Sequence, residues 1–267
     1  MLVMTSPLSY IHPDAQIGED VVISPFSYIA ADVQIGQGTW IGPNVTIFDG
    51  ARIGANCKIF PGAVIAAEPQ DLKFNGEYTT VEIGDRTTIR ECVTINRGTV
   101  DQFTTRIGSD ALIMAYCHIA HDCLLGDHVI MANSVQMAGH VELGDFAFIG
   151  GTSAVHQFVK IGAHAMIAGG SLVRKDVPPF VKAAREPLSY AGVNSLGLRR
   201  RGFSNDEIYL IQDVYRYIYL RDLNTSDALH AISAELPAHL HVQSVMDFIA
   251  NAKRGIIRKA NGPVSDE

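Results

Sequence analysis

Residues 29–65 read IAADVQIGQGTWIGPNVTIFDGARIGANCKIFPGAVI. Isoleucine stands at every sixth position, from Ile29 through Ile35, Ile41, Ile47, Ile53 and Ile59 to Ile65. The stripe extends in both directions, from Ile11 to Val173. Of its 28 slots, 25 hold a large aliphatic residue or Met; Asp71, Glu77 and Asp101 break it. A helix repeats every 3.6 residues and would carry such a stripe around all its sides. A period of six fits a short strand and a turn in each repeat. Counting the isoleucine as position 1, position 2 is small (Gly18, Ser24, Ala30, Gly36) and position 4 is rich in turn formers (Asp14, Asp20, Asn44, Asn56). Position 5 is small or β-branched (Ala15, Val21, Ser27, Val33). Positions 1 and 5 can both point into a narrow prism. This is the hexapeptide pattern of β-helix repeats.

The pattern resembles that of left-handed parallel β-helices, in which three hexads make one triangular coil. The resemblance implies an all-β left-handed parallel β-helix over residues 1–189, with about nine coils between 11 and 178. The handedness rests on that resemblance, since parallel crossovers are ordinarily right-handed. Segments 66–82 and 99–106 leave the pattern and read as projecting loops, which are usually functional or disordered at such lengths. After VPPFVKAAREP (177–187) the composition changes. Ser204 and Glu207 form a capping box, followed by an apolar face of Ile208, Ile211, Tyr215 and Ile218. Segments 226–236 and 242–260 also read as helices. A helical C-terminal domain over 190–267 is expected, with its last few residues frayed.

The 267 residues are 47% hydrophobic and 18% charged, with a net charge of −7. That excludes general nucleic-acid binding, which needs a broad basic face. The four cysteines form no CxxC pair, and a reduced cytoplasmic protein is the simplest reading. No signal peptide and no membrane span are expected.

The repeat defines what is ordinary, so departures from it carry the functional signal. Cys57, Cys117 and Cys123 occupy the small inward position 5 and need no other role. His128 and His164 sit at position 4 and read as surface turn residues. His156 occupies position 2, almost always small, and so is expected outside the prism. In HIAHDC (118–123), His118 and His121 point outward, and Asp122 holds a turn position. One coil on, Gly139 stacks beside His121 and His140 beside Asp122. Two chemistries suit this cluster. His118, His121 and His140 could supply a zinc ion, as in hydrolases resembling the γ-class carbonic anhydrases. Alternatively, Asp122 fixes the tautomer of His121, which then acts as a general base.

The stretches HIAHDC, GHV, AVHQF, IGAH, DVPP, GVN, RRRGF and QDLKFNGE resemble the UDP-N-acetylglucosamine O-acyltransferases of lipid A biosynthesis, across nearly the whole chain. The resemblance implies transfer of an (R)-3-hydroxyacyl group from acyl carrier protein to the 3-hydroxyl of UDP-N-acetylglucosamine. It makes His121 the base, Asp122 its orienter and Gly139 an oxyanion donor. It needs neither metal nor cofactor, because a thioester is already activated. Gln70, Asp71, Lys73, His118 and His140 match sugar-side residues. His156, Gln157, Asn194, Arg200 and Arg201 match the nucleotide side. The resemblance further implies a homotrimer with intersubunit active sites.

Three positions depart from or qualify the match. Leu196 replaces an expected acidic residue, and Pro187 stands where long-chain members often have histidine. Gly169, at the acyl-length position, leaves room for a long chain. Carrier-protein docking needs local basic surface, for which Arg199–Arg201, Lys253, Arg254, Arg258 and Lys259 are candidates.

Overall fold

The computed structural model describes residues 4–259. Two- to four-residue strands recur with each hexad and wind into a three-faced, left-handed parallel β-helix. The first face has twelve strands, from Met4–Thr5 to Arg258–Lys259; the second has nine and the third eight. Register follows the 18-residue coil: Ile23 pairs with Ile41, Ile29 with Ile47, and Ile119 with Met137. The stripe residues from Ile23 to Val173 are buried, with Val45, Cys57, Cys117 and Cys123 between them. This is the two-position core that the hexad pattern requires.

Position 4 makes the corners. Asp20, Asn44, Asn56, Asp110, Asp122 and His140 all adopt φ between 55° and 61° there. Even Phe146 and Phe158 are forced into this left-handed region. Each such residue costs on the order of 1 kcal/mol. The cost is offset where the corner N–H then bonds the preceding coil, as in His140 N–H to His121 O at 3.1 Å.

The faces differ in their outward residues. The first presents mostly apolar residues, Val22, Trp40, Leu112, Ile130, Phe148 and Met166, interrupted by Lys58, Thr88 and Lys182. The third presents Arg52, Glu82, Arg106, Glu142 and Lys160, with Arg106–Glu82 and Lys160–Glu142 ion pairs at 2.8 Å. Both projecting segments leave the corner between the second and third faces. Their flanking strands are Val64–Ala67 and Thr80–Ile83, then Thr94–Asn96 and Thr104–Ile107. The loops therefore run over 68–79 and 97–103, shorter than the pattern suggested, because pairing resumes before the stripe does.

An antiparallel hairpin, Val181–Ala184 with Ser189–Val193, follows the last coil on the first face. Helices α1 (Ser195–Arg200), α2 (Asn205–Tyr219), α3 (Thr225–Glu235) and α4 (Leu240–Ala250) follow. The Ser204–Glu207 capping box is formed. The helix expected over 242–260 stops at Ala250: Arg258–Lys259 instead pairs with Ser189–Tyr190, and Ile257 is buried. The fraying expected at the C-terminus lies outside the described residues.

Candidate active site

His121 and Asp122 occupy the turn between His118–Ile119 on the second face and Leu124–Leu125 on the third. Position 3 of the hexad, where His121 and Gly139 fall, holds proline in several coils (Pro13, Pro25, Pro43, Pro61), so the ladder has no use for its N–H. At Gly139 the N–H is present, and among the described residues it donates no hydrogen bond. Glycine is required here for another reason. A Cβ on residue 139 would lie 2.6 Å from His121 Cε1 and 2.8 Å from its Nε2. The imidazole therefore lies directly against the Gly139 backbone.

Asp122 Oδ2 meets His121 Nδ1 at 2.8 Å. The same carboxylate accepts the Thr99 N–H (2.9 Å) and hydroxyl (2.6 Å), and the Gln102 N–H at 3.3 Å. The Asp122 N–H donates to Thr105 Oγ1. Asp122 is buried, which pushes its carboxyl up; bonds from His121 and Thr99 outweigh that and hold it below the ordinary carboxylate range. With Nδ1 engaged by Asp122, Nε2 of His121 remains for chemistry.

His140 stands edge-on to His121, with centroids 5.1 Å apart, and stacks on Phe158 at 4.4 Å. Its Nδ1 lies 3.1 Å from Asp101 Oδ2 and its Nε2 lies 3.8 Å from Asp122 Oδ2. His118 lies on the outer side of the second face with Nδ1 at 2.7 Å from Thr94 Oγ1. Burial, then the neighbouring His121, holds its pKa down. The metal-capable cluster at this corner is His121, Asp122 and His140, with donor atoms within 4.8 Å of one another; His118 is not part of it. A cleft of about 600 Å³ opens beside the corner, lined by Asp101, Gln102, Asp122, His140, Phe158 and Lys160 among others.

The remaining expected site residues divide by corner. Gln70, Asp71 and Lys73 are carried by the 68–79 loop at the same corner as His121, with Gln70 and Lys73 exposed. His156 and Gln157 are exposed in the coil after His140. Asn194, Arg200 and Arg201 lie elsewhere. Asn194 caps α1 and donates to His164 O at 3.0 Å. Arg201 donates to Phe146 O at 3.2 Å and lies over the Phe146 ring. Phe146 and His164 mark the corner between the third and first faces. A second cleft of about 780 Å³ opens there, lined by Asn194, Leu196, Arg200 and Arg201 and floored by apolar Phe148 and Met166. Gly169 is exposed at the remaining corner, where a Cβ would meet Gly151 O at 3.2 Å. Within one chain, the His121 cluster and the arginine cluster do not meet.

His164 is no surface turn residue. It stacks between Phe146 and Phe180 and meets Phe203 edge-on, because the C-terminal helices cover this corner. Burial, then Arg201, drives its pKa down to about 4. Thr99 and Asp101, both on His121's corner, were also missed. Their one sequence signal was Asp101 itself, an acid in an aliphatic slot.

Comparison with known proteins identifies the family. A family profile described as bacterial transferase hexapeptide (six repeats) matches residues 32–67 and 104–139. This places the chain among the hexapeptide-repeat transferases. A second profile, Udp N-acetylglucosamine O-acyltransferase, Domain 2, matches 176–257. The acyl-[acyl-carrier-protein]--UDP-N-acetylglucosamine O-acyltransferase of Herminiimonas arsenicoxydans is 51% identical over 199 residues, 73% of this chain and 76% of that protein. The UDP-N-acetylglucosamine acyltransferase structure from Bacteroides fragilis superposes with a TM-score of 0.94 at 52% identity, over 95% of this chain and 99% of that one. The Arabidopsis structure gives 0.81 at 32% identity, over 96% and 100%. The chain belongs to the UDP-N-acetylglucosamine O-acyltransferase family. That membership leaves the carbonic-anhydrase-like hydrolase reading without support.

Proposed function

We infer that this chain is an acyl-[acyl-carrier-protein]–UDP-N-acetylglucosamine O-acyltransferase, catalysing the first step of lipid A biosynthesis. The finer reading is that an (R)-3-hydroxyacyl group moves from the carrier thioester to the sugar 3-hydroxyl. His121 Nε2 takes the proton from that hydroxyl, and the oxygen attacks the thioester carbon. The oxyanion accepts the Gly139 N–H, a type of contact whose loss costs about 3 kcal/mol of barrier. The tetrahedral adduct then collapses: the C–S bond breaks, the ester remains, and the departing thiolate takes the proton back from His121. Asp122 holds the ring in the required tautomer. His118, His140, Gln70, Asp71 and Lys73 line the sugar side; His156, Gln157, Asn194, Arg200 and Arg201 serve the nucleotide, the arginines as partners for its diphosphate. Gly169 leaves room for a long acyl chain.

The observation that carries this reading is the His121–Asp122 pair, its imidazole packed on the backbone of Gly139, whose N–H donates no hydrogen bond among the described residues. The homotrimer is supported by the two separated clefts and by the largely apolar first face. Around a threefold axis, the first face of one prism packs on the second face of the next. The arginine corner of one protomer then meets the His121 corner of its neighbour, in the same coils. Free cysteines fit a reducing cytoplasm, and among the described residues no helix is long and apolar enough to cross a membrane. The test is direct. Purified protein, hydroxyacyl carrier proteins of several lengths and UDP-N-acetylglucosamine should give a 3-O-acyl sugar nucleotide, detected by mass spectrometry, with long chains favoured. Absence of that product, or a preference for short chains, contradicts the corresponding part of the reading.

A further inference from the structure

The 97–103 loop has no place in the reading above, yet four of its groups point into the active corner. Gly98 starts it because nothing larger fits: a Cβ there would lie 2.4 Å from Thr104 N and 2.6 Å from Phe103 C. The loop closes on itself through Phe103 N–H to Thr99 O at 2.8 Å, with Phe103 at φ 58°. Its upstream end is braced against the first loop. Asn96 Nδ2 donates to Glu68 O at 2.8 Å, and the Arg97 guanidinium sits over the Phe74 ring. Its inner side grips Asp122 through the Thr99 N–H, the Thr99 hydroxyl and the Gln102 N–H. Asp101, the residue that broke the aliphatic stripe, reaches His140 Nδ1 instead of the core.

We propose that residues 97–103 form a strap that sets the orientation of both imidazoles in the active corner, with Thr99 the positioning residue for Asp122 and hence His121, and Asp101 the positioning residue for His140. The proposal rests on the transferase reading for its kinetic consequence but not for its geometry. Asp122 is buried, so its orientation depends on the protein donors around it. The strap supplies three of these, and His121 is the fourth partner. Removing the Thr99 hydroxyl frees Oδ2, the oxygen that also meets His121, to rotate. Removing the Asp101 carboxylate leaves His140 with its ring contacts to Phe158 and His121 and the distant Asp122 oxygen, but no close polar partner on Nδ1 among the described residues.

The experiment compares Thr99→Val and Thr99→Ser, each in the native background and with His121→Ala, together with Asp101→Ala and Asp101→Asn. One readout is the kcat and KM of acyl transfer. The other is the rate of carbethoxylation of His121 and His140 by diethyl pyrocarbonate, read by peptide mass spectrometry, which needs no substrate. Thr99→Val should lower kcat about 10- to 100-fold, leave the KM for the sugar nucleotide nearly unchanged, and speed His121 modification. Thr99→Ser should restore most of both. With His121 absent, Thr99→Val should cost nothing further in kcat. Asp101→Ala should speed His140 modification, and Asp101→Asn should keep most of the protection. Equal losses with and without His121, or unchanged modification rates, overturn the strap. A wild type without transfer activity refutes the transferase reading alone; the modification rates still decide the strap.

Discussion

Gly139→Ala is a small change that reaches the His121 ring, the proposed general base. The added methyl carbon would sit 2.6 Å from His121 Cε1, 2.8 Å from Nε2 and 3.1 Å from Nδ1. Ordinary contact begins near 3.4 Å, so the ring must retreat by about 0.8 Å at its closest atom. It cannot do so freely. Nδ1 is tied to Asp122 at 2.8 Å, and His140 stands edge-on beside it. Residue 139 itself is buried between coils, so the backbone has little room to yield. A displacement of this size at a catalytic group lowers kcat by about 10²-fold. The fold should survive, because position 2 and position 3 side chains stay outside the stripe. Steady-state kinetics beside thermal unfolding make the assay. A second arm sharpens it. With His121→Ala the ring is gone, and Gly139→Ala should then cost little more. A Gly139→Ala enzyme with wild-type kcat would refute the packing argument. A full additional loss in the His121→Ala background would show that the methyl acts elsewhere.

Other consequences follow from the same contacts. Co-expressed His121→Ala and Arg201→Ala chains should recover about a quarter of wild-type activity, because random mixing of two chains in a trimer places both intact corners together in that share of sites; no recovery would contradict an active site shared between protomers. His164 has its folded pKa depressed to about 4 from 6.5, so its contribution to stability is present above pH 6.5 and is lost as pH falls toward 4. His118 and His241 are depressed in the same direction and add to that loss. His164→Phe should therefore flatten the fall of the unfolding midpoint across that window; an unchanged slope would count against it. Tyr215 is fully buried in α2 and donates its hydroxyl to Pro179 O, docking the helices on the last coil. Tyr215→Phe should cost about 1–3 kcal/mol in chemical denaturation and leave kcat intact.

The isoleucine stripe made the prism legible because its period matches nothing else, and the same register predicted which cysteines are buried. It also identified the outward-facing His121 and its neighbours one coil away, since stacking follows from 18-residue spacing alone. What it missed lies where the repeat is interrupted or covered. Asp101 registered only as a failure of the stripe, and Thr99 not at all, because a loop outside the repeat has no register from which to read a direction. His164 fits its hexad position well and was therefore read as exposed; the aromatic stack around it comes from helices that a hexad count cannot see. The sequence reading of 242–260 as one helix fails beyond Ala250, since Ile257 N–H bonds Asp176 O and the chain runs on as a strand beside Ser189. Tertiary pairing overrode local pattern there.

The His121 corner is proposed to transfer an acyl group from a carrier-protein thioester to UDP-N-acetylglucosamine. Its most direct test is the single-turnover rate of that transfer for wild type and His121→Ala, with circular dichroism confirming an unchanged fold. With His121 as the general base, a loss of roughly 10²–10⁴-fold is expected. A variant that transfers at the wild-type rate would contradict it.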